Sequence, residues 1–332
     1  MCKYKSLLII QLSVRIITLN ETCLQINLLA INAFIFMDIN KQRIEKMKDL
    51  IFQNLMDSYL PFPLDTKLYS SWANGIPNSG DTIIYTSYMY QISGILKRYE
   101  ALFPRIYRLN IPKRLMTASK FLIKPKDEEL QRAFRILKSI TSMLSGSDVK
   151  FGYLYDQEPY SGALLLESGV LNEYKEYGKK LYSFFKSKGI KNIITVDPHT
   201  TNSLKRYKDF IDFDIDIKNY LELVNFKGTG KYVIHDSCLY SRAMGMYGDI
   251  RNKINNSGLS VDENYLITSK EMGSCCGGPL SLVSAKDSEE VSRTRAEKLL
   301  SVNENVLVMC PLCYENLSPY INNIKDLAEV VS

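Results

Sequence analysis

Three blocks of this chain occur twice in the same order, and no other feature of the sequence narrows the fold as much. "TIIYTSYMYQ" (82–91) matches "YVIHDSCLYS" (232–241), with Ser87 against Ser237 and Tyr90 against Tyr240. "EPYSGALL" (158–165) matches "GSCCGGPL" (273–280), and "NIITVDPHTTNSL" (192–204) matches "NVLVMCPLCYENL" (305–317). The interval from second to third block also agrees: 35 residues lie between Ser161 and Asp197, and 33 between Cys276 and Cys310. Self-similarity in fixed order marks a repeated structural unit. The first interval is longer in the first copy, and the surplus predicts an added helix over about 127–144.

Within each copy, short apolar or β-branched runs (83–86, 193–196, 232–235, 306–309) alternate with helical stretches such as "NEYKEYGKKLYSFFKSKGI" and "KDSEEVSRTRAEKLLSV". That alternation is the pattern of βαβ units with largely parallel sheets. The expectation is an α/β chain of two similar domains related by duplication: a helical lead over 37–80, a first copy over 81–225 and a second over 226–332. Functional loops in such sheets lie at the C-terminal ends of strands, which is where Cys238, Cys310 and Cys313 fall.

The bulk numbers set limits. With 332 residues, 45% hydrophobic and 23% charged, the chain can build the cores of two ordinary domains. Its net charge of +6 comes from 42 basic and 36 acidic residues with no dense Lys/Arg run, so nucleic-acid binding is not expected. Near the start, the uncharged run 22–37 has 16 residues and contains Gln25, Asn27 and Asn32. It is shorter than the ~20 apolar residues of a spanning helix, and no small-residue cleavage site follows. Residues 1–36 read as an over-extended start or flexible segment, or else as a membrane-associating one. Met37 opens an amphipathic helix with Ile44, Met47, Ile51 and Leu55 on its apolar face.

Seven cysteines are placed unevenly: Cys2 and Cys23, then none until Cys238. A secreted disulfide framework is small, Cys-dense and even in count, so a metal or redox site in a reducing, cytoplasmic compartment is expected. The last five follow C-x36-C-C-x33-C-x2-C, from Cys238 through Cys275, Cys276 and Cys310 to Cys313. Thiolates suit iron–sulfur clusters or zinc. A mononuclear zinc needs four ligands, so a fifth thiolate favours a cluster; zinc and a redox pair within "CPLC" stay open as alternatives.

This pattern, with CCGGP at its centre, resembles the cysteine-rich CCG domain of the heterodisulfide reductase catalytic subunit family (B/D-type), also found in subunits of lactate, glycolate and glycerol-phosphate oxidising complexes. The resemblance covers roughly 80–332, with its specific motif in 238–313. It implies that Cys238, Cys275, Cys276, Cys310 and Cys313 are ligands of an iron–sulfur cluster of 4Fe-4S type, non-cubane in the disulfide-cleaving members. Gly277 and Gly278 would then clear room for inorganic sulfide, and Pro311 suits the first position of a helix. In the first copy the matching positions are Tyr88, Tyr160, Ser161, Asp197 and Thr200. None is cysteine, so that copy is degenerate. Asp197 and His199 in "DPHTTNSL" read as a hydrogen-bonded turn, and Tyr88 and Tyr160 as lining a cleft facing the cluster. His235 is either a core histidine or a proton donor to a substrate thiolate.

Three functions are compatible. One is a heterodisulfide-reductase-like redox subunit acting on a small thiol or disulfide. Another is an electron-transfer subunit of a flavin-dependent hydroxy-acid dehydrogenase complex, and the third is a zinc-stapled scaffold. With no ferredoxin-type C-x2-C-x2-C run and no GxGxxG, electrons must come from or go to partner iron–sulfur or flavoprotein subunits. Any membrane association is expected to be peripheral, through those partners.

Overall fold

The backbone of β1 (Thr82–Tyr85) runs parallel to β2 (Asn192–Thr195), and β2 to β3 (Asp216–Asn219), so that Ile83, Ile193 and Ile217 lie side by side. The second sheet repeats this with β4 (Lys231–Ile234), β6 (Asn305–Val308) and β7 (Asn323–Asp326), aligning Val233, Val306 and Ile324. Strand β5 (Ser260–Asp262) adds on the far side of β4, giving the order β5-β4-β6-β7. Gly152 occupies the corresponding side of β1 as a single parallel bridge to Ile83. The computed structural model describes residues 48–100, 125–264, 270, 273–282 and 284–332, with only the backbone at 99, 100, 279 and 282. The expectations for 1–36, for the first part of the lead, and for Cys2 and Cys23 lie outside these residues.

Parallel strands need crossovers, and helices supply them. After β1 comes α1 (Met89–Glu100), then the added helix α2 (Asp127–Gly146), close to where it was expected. Three acidic residues in its first turn complement the helix dipole, while Leu130, Ala133, Phe134, Leu137, Ile140 and Leu144 form its buried stripe. Then come α3 (Ala163–Glu167), α4 (Leu171–Ser187) and, after β2, α5 (Pro198–Arg206). The second half contributes α6 (Tyr247–Ser257), α7 (Ala285–Leu300) and α8 (Pro311–Leu317). The structure is therefore α/β with parallel sheets, as expected. Residues 48–58 are helical, continuing the amphipathic lead, with Ile51 and Leu55 buried. Among the described residues, no helix is long and apolar enough to cross a membrane.

Each anticipated strand starts and ends one residue earlier than the apolar run that announced it. Thr86, Val196, His235 and Met309 are buried but lie past the ladder, where the chain turns into loops. Strands β3, β5 and β7 were not foreseen. "DIKN" and "NIKD" alternate exposed and buried residues, and each has one apolar residue among polar ones, too weak a signal for a strand of this length.

Both sheets belong to one compact unit. Two reciprocal hydrogen bonds join the halves: Tyr90 Oη donates to Asp326 Oδ2 (3.0 Å), and Asn219 Nδ2 donates to Tyr240 Oη (2.9 Å). Asn219 and Asp326 are the last residues of β3 and β7, so each half offers a tyrosine to the other half's last strand. Arg132 on α2 adds a bidentate pair to Glu329.

Candidate metal centre

Three loops at the C-terminal ends of the second sheet bring the five cysteines together. Cys238 follows β4 and opens a π-helical turn, Leu239–Ala243, a wide turn of a kind frequent at functional sites. Cys275 and Cys276 precede the short turn Gly278–Leu282, which packs against α7. Cys310 is the N-cap of α8 just past β6, Pro311 takes the first helical position as expected, and Cys313 lies in the first turn. Cys276, Cys310 and Cys313 are buried, Cys238 and Cys275 are half-buried, and all five are free thiols.

The sulfurs form one contiguous chain. Cys275 neighbours Cys238 and Cys276, and Cys313 neighbours Cys276 and Cys310. Hydrogen bonds with those neighbours, together with the Gly277 N–H (3.4 Å), hold the Cys275 thiol far below its usual range. Burial works against ionising Cys310, but the bond from Cys313 and the nearby His199 hold it down to about 5. Cys238, Cys276 and Cys313 are pushed up by hydrogen bonds with their neighbours and by burial.

The two glycines have different tasks. Gly277 has φ +90°, and a Cβ there would lie 2.6 Å from the Ser288 carbonyl oxygen. Gly162 holds the matching place in the cysteine-free half with φ +82°. Since the positive φ persists where there is no sulfur, it serves the turn itself. Gly278 is the one beside the sulfurs: a Cβ there would be 3.6 Å from Cys276 Sγ and 3.1 Å from Asn316 Nδ2. Of the two glycines expected to permit positive φ and close approach of backbone, Gly277 takes the positive φ and Gly278 lies beside the sulfur.

His235 is buried below the loops, where Arg295 Nε donates to its Nδ1 (3.1 Å). Burial and that guanidinium lower its pKa to about 3, so the ring is neutral. Because Nδ1 accepts, the proton resides on Nε2, which is buried without a partner among the described residues. The expected imidazolium acid is therefore not what this environment favours. A ring nitrogen of His235 lies within 4.8 Å of the Cys276 and Cys313 sulfurs, but a protonated Nε2 donates hydrogen bonds and cannot ligate. Asn316 also faces the sulfurs, with Nδ2 3.8 Å from Cys276 Sγ and Oδ1 unpaired.

The matching positions of the first half lack thiolates and are buried. Asp197 caps α5, accepting from Thr200 N (3.0 Å), which is the hydrogen-bonded turn expected. Tyr160 Oη meets Met89 Sδ, and Tyr88 Oη donates to the Tyr155 carbonyl oxygen. Both rings are packed into their own half rather than against the cysteines. Unforeseen is His199, on the first turn of α5, whose Nε2 lies 3.4 Å from Cys310 Sγ. Its Nδ1 is 2.6 Å from Glu167 Oε1 at the end of α3. Burial disfavours the charged ring, yet Glu167 and Cys310 raise its pKa well above the usual histidine value. The sequence held one trace of this: a histidine two residues after the position matching a cysteine ligand.

A parallel α/β scaffold presenting five thiols from three loops defines a cysteine-rich redox or metal-binding class. Residues 232–318 match the family model described as a cysteine-rich domain, CCG, in agreement with the resemblance read from the motif. The chain is 29% identical over 197 residues to the "Probable iron-sulfur-binding oxidoreductase FadF" of Bacillus subtilis (strain 168), covering 55% of this chain and 28% of that protein. It is 29% identical over 226 residues to the "EtfAB:quinone oxidoreductase" of Syntrophomonas wolfei subsp. wolfei (strain DSM 2245B / Goettingen), covering 59% of this chain and 31% of that protein. The chain spans less than a third of the length of these relatives. Among solved structures, Picrophilus torridus aspartate racemase is 14% identical over 59% of this chain and 83% of its own, with a TM-score of 0.27, too low to carry an argument.

Proposed function

We propose that this chain is an iron–sulfur electron-transfer module, in which Cys238, Cys275, Cys276, Cys310 and Cys313 hold a four-iron cluster. The observation that carries this reading is the convergence of five free thiols from three loops at the C-terminal ends of the second sheet. The donor set fits such a group: cysteines outnumber the four ligands of a zinc site, Gly278 leaves the space beside Cys276 open, Asn316 Nδ2 donates toward Cys276, and His235 Nε2 is buried without a partner among the described residues. When bound, the cluster supplies one-electron transfer at a potential set by its surroundings.

The chain's own residues do the rest. Burial of Cys276, Cys310 and Cys313 excludes water from most of the site. Neutral His235 offers an N–H toward sulfur, kept in that tautomer by Arg295. Half-exposed Cys275 marks the side on which a partner approaches. We take the partners to be of the kind stated in the relatives' names, an electron-transferring flavoprotein-type carrier and a quinone-linked acceptor. The two halves are read as copies of one βαβ unit, of which the second kept the thiolates.

A cleft favours a second reading, thiol or disulfide chemistry of the heterodisulfide reductase kind. It has a volume of about 350 Å³, touches Cys275 and is lined by Asp287, Glu290, Thr294, Arg295 and Lys298. A small thiol would fit there.

Anaerobic purification with iron and acid-labile sulfide analysis, followed by electron paramagnetic resonance, tests the main reading. About four irons and four sulfides per chain are expected for this cluster type; stoichiometric zinc without sulfide would overturn it. Thr294→Trp, filling the cleft, separates the two readings. Electron transfer from a reduced dye should persist, while thiol turnover, if it exists, should stop.

A further inference from the structure

From the cysteine-free half, His199 comes within hydrogen-bond reach of a candidate ligand sulfur, with the buried Asp197 close by. His199 stands in the first turn of α5, whose start is held by Pro198 and by the Asp197 cap. Its two nitrogens face two acceptors of different kinds: the Glu167 carboxylate at 2.6 Å and the Cys310 sulfur at 3.4 Å. His199 is buried and the Glu167 side chain is only 12% exposed, so water does not compete for either contact. The second half offers nothing equivalent, because Leu312 stands where the repeat would put His199.

We propose that His199, oriented by Glu167, is a positioning residue that donates a hydrogen bond from Nε2 to Cys310 Sγ and thereby raises the reduction potential of the centre the cysteines hold. This rests on the reading of those cysteines as iron–sulfur ligands. A carboxylate oxygen only accepts, so Nδ1 carries a hydrogen. A metal-bound thiolate has no S–H and also only accepts, so Nε2 carries one too. The ring is then a buried cation in contact with a ligand sulfur. Hydrogen bonds to sulfur and charge beside a cluster are among the factors that set its potential. Both favour the reduced, more negative state, and they act strongly in a buried, low-dielectric site. The electron comes from the partner redox protein, and no bond forms or breaks at His199.

The contrast with His235 supports the assignment. There a guanidinium donates to Nδ1, which fixes a neutral ring; here a carboxylate accepts from Nδ1, which fixes the opposite polarity. The two histidines reach the sulfur chain from opposite halves, and only at His199 do both ring nitrogens face acceptors.

The test uses the full chain, purified anaerobically, as wild type, His199→Leu, His199→Gln and Glu167→Gln. Iron and sulfide are assayed first, then the midpoint potential is measured by redox titration followed by electron paramagnetic resonance. All variants should keep wild-type iron. His199→Leu should lower the equilibrium constant for reduction at least tenfold, about 59 mV for one electron. His199→Gln should fall less, since its amide keeps an N–H without the charge, and Glu167→Gln should lie between wild type and His199→Leu. An unchanged potential in iron-replete His199→Leu overturns the inference. Loss of iron from both His199 variants also overturns it, because it makes the residue a ligand or a structural element. A wild type without iron and sulfide removes the cluster reading and this inference with it. A loaded wild type whose potential ignores His199 removes the inference alone.

Discussion

After β2 the helix α5 starts with Asp197, and after β6 the helix α8 starts with Cys310. Both N-caps are followed by a proline at the first helical position. Asp197 spends its side chain on the helix, accepting from Thr200 N, whereas Cys310 makes no side-chain cap bond and leaves its sulfur to the neighbouring cysteines. The same division runs through the other loops. In the first half Glu158 accepts from Thr86 and Ser87 and so pins the loop after β1. In the second half the loop after β4 is held from behind by the bidentate Asp236–Arg251 pair, which leaves Cys238 available. In the first half these side chains cap helices and pin loops, although Ser161 Oγ, Asp197 Oδ2 and Thr200 Oγ1 stay buried without a partner among the described residues, and in the second half the matching positions carry sulfurs that lie together. The same strand-to-helix turn thus carries a helix-capping carboxylate in one half and a free thiol in the other, depending on which side chains stand at a few loop positions.

The largest effect that would break this comparison is on metal content. Cys313→Ser should abolish retention of iron by the anaerobically purified protein, while Thr200→Ser, at the matching place in the other half, should leave it at the wild-type level. Equal losses in both would show that the halves are not divided in this way.

Glycine substitutions sharpen the comparison at the loop that occurs twice. Gly277→Ala forces a Cβ onto a left-handed position facing the Ser288 carbonyl oxygen and should cost about 1–3 kcal/mol in urea unfolding. Gly162→Ala should be as harmful, since it adopts φ +82° and its Cβ would meet Tyr207. Gly278→Ala, where the backbone conformation is ordinary, should change stability little and lower iron retention instead.

A smaller effect probes the contacts between halves. Tyr90→Phe leaves the buried Asp326 Oδ2 without that donor and should cost about 1–3 kcal/mol. Tyr240→Phe should cost less, because Asn219 Nδ2 keeps Thr201 Oγ1 at 2.9 Å. Chemical denaturation of the two single variants ranks them.

The smallest effect is a pH dependence. Burial raises Glu158 to about 7 despite its hydrogen bonds to Thr86, Tyr153 and Ser87. The folded state then holds a proton that the unfolded chain releases, between about 4.5 and 7. Its contribution is therefore greatest at the acid end of that window and declines as pH rises. The urea midpoint of Glu158→Gln should fall less between pH 5 and pH 7 than that of wild type. A parallel fall in both would remove Glu158 as the cause.

Local chemistry made much of this protein readable before its structure was known. Apolar β-branched runs located β1, β2, β4 and β6 to within a residue, because such side chains suit strands buried on both faces. The CCGGP loop, the CPLC turn and Cys238 after the β4 run named the five candidate ligands, because few other arrangements call for thiols at that spacing. Strands β3 and β7 escaped notice because one buried isoleucine each, between polar neighbours, draws its meaning from the adjacent strand rather than from the sequence. The roles of individual groups around the sulfurs were hidden for the same reason. His235 is neutral because Arg295, sixty residues away, donates to it. Gly277 serves a turn that exists equally where there is no sulfur. His199 touches Cys310, 111 residues away along the chain, only because the fold brings the first turn of α5 to the start of α8. Composition and spacing determine which residues can bind a metal, since that is a property of the side chains themselves. Which charges and hydrogen bonds act on them depends on through-space contacts, and only the tertiary structure decided those.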